Sequence, residues 1–239
     1  MIHHTEGVPA GTELFDRAFR TWRPDAVVFD CDGLLMDTEP CWTVAETAIF
    51  ARRGLPFGPE QKALVIGKSV ADAGAAMATA FGETGNAANL AEELYSLVVE
   101  IVGSTAEAMT GAHAIVDLAA RAVPVAVASN SPRRLLDVAL ARGGFTDAFA
   151  VSVAADEVTS PKPAPDLYLV ACERLGVLPD RALAFEDSIT GLRSARAAAV
   201  PVIGVPTLAH QELPADVVVS SLTDPGLNEW IKGWLGESP

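Results

Sequence analysis

Two aspartates close the apolar run in VVFDCDGLLMDTEP, residues 27–40. Asp30 and Asp32 stand two apart, with Cys31 between them. A carboxylate is costly to bury unpaired and a neighbouring carboxylate raises that cost, so something positive must offset the pair. Further along come Ser129 and Asn130 in ASNS, Lys162 in SPKPAPD, and Glu186 and Asp187 in FEDS. Four carboxylates with no His or Cys set around them make a hard, all-oxygen donor group, which suits Mg2+ better than zinc. A phosphate can complete the shell of such an ion, with Lys162 and the Ser129 hydroxyl taking its other oxygens. This layout suggests phosphoryl transfer through a carboxylate nucleophile. Asp30 would attack phosphorus in line with the leaving oxygen. Asp32 would protonate the leaving alcohol and then take a proton from water. Mg2+ and Lys162 would stabilise charge on the phosphoryl oxygens.

For these residues to meet, the elements carrying them must bring their ends together. AVVFD is a short apolar, β-rich run of the kind found in buried parallel strands. VPVAVAS, FAVSVAA, ALAFED and VPVIGV resemble it, and a shorter run, ADVVVS, comes near the end. Helical patterns separate them. SPRRLLDVALARGG offers Ser131 as N-cap and Pro132 at the first helical position, with Leu135, Leu136, Ala139 and Leu140 on one stripe. APDLYLVACERLG starts at Pro165 and stops at Gly176. SITGLRSARAAA sets Ile189, Leu192, Ala195 and Ala199 on one face. The alternation predicts an α/β, Rossmann-like parallel sheet with helices on both faces. Ligands in such sheets sit beyond the carboxyl ends of the strands, where the acids, Ser129 and Lys162 fall. Period-two alternation aims Asp30 and Asp32 one way and Cys31 the other, and Gly33 permits a sharp turn after them.

Residues 39–109 break the alternation and contain no convincing strand. Trp42, Ala45 and Ile49 share a helical face, as do Val70, Ala73, Met77 and Phe81. Leu90, Leu94, Leu97, Val98 and Ile101 form the clearest stripe, with Asn89 and Glu92 as a cap pair and Gly103 as a stop. The predicted organisation is an N-terminal tail over 1–23 carrying one short helix at most, a discontinuous core over 24–38 and 110–239, and an all-helical cap over 39–109 inserted after the first strand.

Composition narrows the partners. The chain has 239 residues, half of them apolar, and a formal net charge of −14. That charge repels nucleic-acid phosphates and anionic membrane, so neither is an expected partner. A small phosphorylated metabolite is, and it must meet a locally positive site. No apolar run reaches membrane-spanning length, and the N-terminus lacks the order of a signal peptide. The cysteines Cys31, Cys41 and Cys172 are odd in number and match no zinc or redox spacing, which points to free thiols in a reducing cytoplasm. The expected state is a monomer or weak dimer.

The four motifs DCDGLLMDTEP, ASNS, KPAPD and EDS, in this order from about residue 26 to 222, resemble those of haloacid-dehalogenase-like (HAD) phosphohydrolases. The branch is that of β-phosphoglucomutase and the sugar-phosphate phosphatases. The resemblance implies Asp30 as nucleophile, Asp32 as general acid/base, Ser129 and Asn130 as phosphate-binding residues, and Lys162 as the lysine that steadies nucleophile and phosphate. It implies Mg2+ held by Asp30, the backbone carbonyl of Asp32, and Asp187, with Glu186 bound directly or through water. It also implies that the helical cap closes over the site and selects substrate.

An aspartate at position 32 disfavours dehalogenation and phosphonate cleavage, because such relatives lack it. Trp42 and Val70 stand where β-phosphoglucomutases carry a histidine and an arginine, which favours plain phosphatase over mutase. Lys68 in IGKSVADA is a candidate substitute cation that keeps the mutase as an alternative. A phospho-accepting receiver is a remote one, since receivers are about half this length and place their acceptor on the third strand. GKS at Gly67 is no P-loop: position 62, where a glycine would be needed, is Lys62. Cys31 is expected in the core, Arg193 and Arg196 on a solvated helix face, His113 on a surface helix, His210 in a loop, and Asp37 in a hydrogen bond within its turn.

Overall fold

A computed structural model describes residues 11–207 and 213–236 of the chain. His3, His4 and His210 lie outside the described residues. Helix α1 (Glu13–Phe19) leads into β1 (Ala26–Phe29), and a loop carries the chain to the two-residue strand β2 (Met36–Asp37). Four helices follow: α2 (Glu39–Arg52), α3 (Pro59–Val65), α4 (Val70–Phe81) and α5 (Ala87–Thr105). β3 (Glu107–Ala108) then returns to pair antiparallel with β2. Beyond it come α6 (Ala112–Ala120), β4 (Val125–Ala128), α7 (Arg133–Arg142), β5 (Val151–Val153), α8 (Asp166–Leu175), β6 (Ala182–Glu186), α9 (Ile189–Ala197), β7 (Val202–Gly204), β8 (Val217–Val218) and α10 (Pro225–Lys232).

The six longer-range strands form one parallel sheet in the order β5-β4-β1-β6-β7-β8. β1 lies inside it, paired with β4 on one side and β6 on the other, and all four of its side chains are buried. Strand alternation divides them between two cores. Val27 and Phe29 join the cluster that holds α6, α7 and α10, whereas Val28 joins the cluster under α8 and α9. Helices therefore cover both faces, as a sheet of buried apolar strands requires. Cys31 continues the Val27 and Phe29 side into the first core.

The helical segment between β2 and β3 extends the cluster that holds Val27 and Phe29. Ala45 and Ile49 of α2, Met77 of α4 and Leu90, Leu94 and Val98 of α5 are buried there. Phe50 meets Phe57 and Phe81 edge-on, with ring centroids 5.1 and 4.7 Å away.

Several local expectations need correction. Residues 1–23 read as a tail, yet Phe15 and Phe19, one helical turn apart on α1, stack on Trp230 of α10 at 5.0 and 5.1 Å. The two rings make an apolar stripe that a loose end would leave in water. The stretch read as strandless contains β3, too short to show a period. α5 begins before Asn89 and runs through Gly103, so neither the cap pair nor the stop lies at an end. Ser131 caps nothing: α7 begins after Pro132, and the Arg133 N–H donates instead to Asp156 Oδ1 at 2.8 Å. In α9 only Leu192 and Ala195 of the proposed stripe are buried; Ile189 is exposed, and Ala199 lies beyond the helix with φ of 60°. Asp37 is exposed, with no side-chain hydrogen bond among the described residues.

Candidate active site

The carboxyl ends of β1, β4 and β6 lie side by side, so residues 100 or more apart in sequence share one crevice. Asp30 extends β1, its N–H donating to Phe185 O of β6 at 3.0 Å. Asp30, Lys162 and Glu186 are all buried, with Glu186 fully so. Lys162 Nζ donates to Asp30 Oδ1 at 2.5 Å, to Glu186 Oε1 at 2.6 Å and to the Ala128 carbonyl at 2.7 Å. All three of its protons are thus used. Burial alone would lower Lys162, but the charges of Asp30 and Glu186 and the hydrogen bonds to both hold it above its ordinary value.

The Lys162 loop is fixed by Asn130. Its amide Nδ2 donates to the Lys162 carbonyl at 3.1 Å, and its Oδ1 accepts the Lys162 N–H at 2.8 Å. Both ends of the Asn130 side chain are engaged in this way, which ties the end of β4 to the Lys162 loop.

Asp32 is solvated by hydroxyls. Oδ1 accepts from Thr38 Oγ1 at 2.9 Å, and Oδ2 accepts from Ser129 Oγ at 3.0 Å and Ser131 Oγ at 2.8 Å. Ser131 gives its hydroxyl to this carboxylate, which is why it is not a helix cap. Thr38 stands at the start of α2, so the helical segment begins in contact with Asp32. Gly33, with φ of 84°, makes the turn between them. A Cβ at Gly33 would lie 2.3 Å from Asp187 Oδ2, so glycine is needed for space as well as for backbone.

Asp30, Glu186 and Asp187 each place a carboxylate oxygen within 4.8 Å of the others. One ammonium faces these three acids. Burial pushes Asp30 well above the usual carboxylate range; Lys162 pulls it back, while Glu186, Asp187 and Asp32 raise it further. Asp187 is pushed up to about 7, first by burial and then by the charge of Glu186. Its Oδ1 is buried without a hydrogen-bond partner. A compact all-oxygen group with surplus negative charge and an orphaned acceptor fits Mg2+. The Asp32 side chain stays out of this group.

Three contributors escaped sequence reasoning: Thr38, Ser131 and Tyr168. Tyr168 OH donates to Glu186 Oε1 at 2.6 Å. A signal existed, since a tyrosine on the buried stripe of an amphipathic helix needs a partner for its hydroxyl. Cys31 is buried on the opposite side, its thiol pushed up by burial and then by Asp32 and Asp30, so it is no nucleophile here. His113 is exposed on α6 and stacks on Phe145 at 4.2 Å. Arg193 and Arg196 are exposed on α9. Lys68 is exposed in the loop before α4 and lies outside the acidic cluster.

Gly191 makes the site sensitive to a single methyl group. A Cβ there would lie 1.9 Å from the Glu186 carboxyl carbon. Gly191→Ala should push Glu186 off Lys162 and Tyr168, costing about 3 kcal/mol or more. Thermal unfolding of this variant at wild-type stability would show that the carboxylate is free to move.

The family model for haloacid dehalogenase-like hydrolases matches residues 24–199. Hexitol phosphatase B of Escherichia coli K12 is 32% identical over 209 residues, covering 83% of this chain and 93% of that protein. A bifunctional riboflavin kinase/FMN phosphatase of Arabidopsis thaliana is 30% identical over 209 residues; the match covers 85% of this chain but only 55% of that longer protein. Among solved structures, a putative β-phosphoglucomutase from Thermotoga maritima superposes with a TM-score of 0.73 at 25% identity, over 90% of this chain and all of that one. The chain therefore belongs to the haloacid dehalogenase-like hydrolase family, as one of its phosphoric monoester hydrolases.

Proposed function

We propose that the protein is a Mg2+-dependent phosphatase of small sugar or polyol phosphates that works through an aspartyl phosphate. The observation that carries this reading is the buried Lys162 bridging Asp30 and Glu186 beside the orphaned Asp187 oxygen. Asp30, Glu186 and Asp187 would hold the cation through side chains and Asp32 through its backbone carbonyl. When bound, Mg2+ neutralises charge on the phosphoryl oxygens.

An oxygen of Asp30 forms the new bond to phosphorus as the ester P–O bond breaks. The Asp32 carboxyl gives its proton to the leaving oxygen. Asp32, now ionised, takes a proton from water as that water attacks phosphorus, which frees Asp30 and inorganic phosphate. Lys162 keeps Asp30 aimed and carries positive charge throughout. The backbone of Asn130 would bind the transferred group, and Ser129 would join it by turning its hydroxyl away from Asp32.

The substrate class is inferred from a cavity of about 190 Å3, lined by Glu39, Trp42, Glu46, Lys62 and Lys68 among others. Glu39, Trp42 and Glu46 of its lining lie on α2, whose N-cap Thr38 touches Asp32. Lys62 Nζ bridges Glu46 Oε2 at 2.9 Å and Glu39 Oε1 at 3.0 Å. Two acids and two lysines cancel, and Lys62 is already committed to both acids. An uncharged, hydroxyl-rich tail suits this lining better than a second phosphate does, which favours phosphatase over mutase. Hexitol phosphatase B is named for such a substrate class. The three free, buried thiols support a cytoplasmic setting. No described helix is long and apolar enough to cross a membrane.

A panel of phosphorylated hexitols, sugars and glycerol tests the reading by phosphate release. Glu46→Gln should raise KM for the best polyol phosphate about tenfold and leave turnover of a short aryl phosphate unchanged. Equal loss on both substrates would remove Glu46 from substrate selection. A sugar 1-phosphate converted to its 6-phosphate faster than it releases phosphate would make the protein a mutase.

A further inference from the structure

Tyr168 is fully buried in the first turn of α8. Its hydroxyl and Lys162 Nζ both donate to Glu186 Oε1, each at 2.6 Å. Lys162 Nζ also lies 5.2 Å from the centroid of the Tyr168 ring, so the two donors approach as a packed pair. An ionised carboxylate oxygen has two lone-pair sites, and both sites of Oε1 are filled by protein. Oε2 accepts only a long contact from Ser188 Oγ, at 3.4 Å. The same carboxylate fills the space that a Cβ on Gly191 would occupy.

We propose that Tyr168 is a positioning residue that leaves Glu186 one oxygen for a bound cation, and so biases the Asp30, Glu186 and Asp187 cluster toward Mg2+ and against Ca2+. The inference rests on reading that cluster as a cation site. Ca2+ gathers about six to eight oxygens and readily takes both oxygens of a carboxylate, whereas Mg2+ holds a tight octahedron built from single oxygens and water. A Glu186 that can offer only Oε2, directly or through water, meets the second demand and fails the first. Removing the phenol hydroxyl frees one lone pair of Oε1 and lets both oxygens turn to the ion.

The test is calorimetric titration of the whole protein with Mg2+ and with Ca2+, in wild type and Tyr168→Phe, with no substrate present. Phe keeps the ring and its packing. The ratio of Ca2+ to Mg2+ affinity should rise about tenfold in the variant. A purely structural role would lower stability or weaken both cations alike; an unchanged ratio would overturn the proposal. A wild type that binds neither ion would overturn the cation site itself, a distinct result.

A second measurement needs no variant. The chain has two tyrosines, Tyr95 and Tyr168. In protein labelled with 3-fluorotyrosine, Mg2+ should shift the fluorine resonance of Tyr168 and leave that of Tyr95 in place. A Tyr168 resonance indifferent to Mg2+ would equally reject the coupling.

Discussion

Asp30→Asn should remove phosphatase activity and leave the fold standing. Asp30 Oδ1 accepts from Lys162 Nζ at 2.5 Å, a bond that an amide oxygen can still accept. The replaced atom is the free carboxylate oxygen, and an amide nitrogen has no lone pair to offer phosphorus. Turnover should fall by about four to six orders of magnitude, as when other covalent nucleophiles are removed. The fold should tolerate the change, because the variant also relieves the repulsion that burial, Glu186 and Asp187 impose on Asp30. Phosphate release from an aryl ester, read beside thermal unfolding, checks both halves. Hydrolysis at the wild-type rate would reject the nucleophile. Asp32→Ala provides the contrast: with a good leaving group it should still accept a phosphoryl group slowly, but turn over about 100- to 10,000-fold less well.

Removing the cation should silence the enzyme and make its stability depend on pH in a definite direction. In the metal-free fold Asp187 sits at about 7, against an ordinary 3.8. An acid raised in this way is protonated in the folded state while already ionised in the unfolded one. Its favourable contribution is therefore present at acid pH and is lost as pH rises from about 4 to about 7. Asp30 is displaced in the same direction by the same cause, burial among acids. Mg2+ must displace these protons to bind, so its binding strengthens as pH rises across that interval. At a hundredfold excess over Kd the gain is about 2.7 kcal/mol, several degrees in Tm for a chain of this size. Unfolding in chelator and in saturating Mg2+, at pH 5 and pH 8, is the measurement. The Mg2+-induced rise in Tm should be the larger at pH 8; equal rises would exclude the carboxylates as the group that holds the ion.

Much of the molecule was readable from residue order, because its strands and motifs are local. Four consecutive buried side chains in AVVF mark an interior strand wherever they occur, and the parallel sheet follows from alternating such runs with amphipathic helices. The acidic pairs and Ser129 stand at or just past strand ends and Lys162 in the loop after β5, so knowing the strands located the crevice. Tertiary structure decided what depended on distant partners. Ser131 reads as a helix cap until a carboxylate 99 residues away accepts its hydroxyl. Phe15 and Phe19 read as part of a tail until Trp230 covers them. Nothing in the residue order singles out a partner for Tyr168 until Glu186, on another element, accepts its hydroxyl. A hydroxyl or a ring has no period of its own, and its role is set by whichever group the packed chain brings within reach.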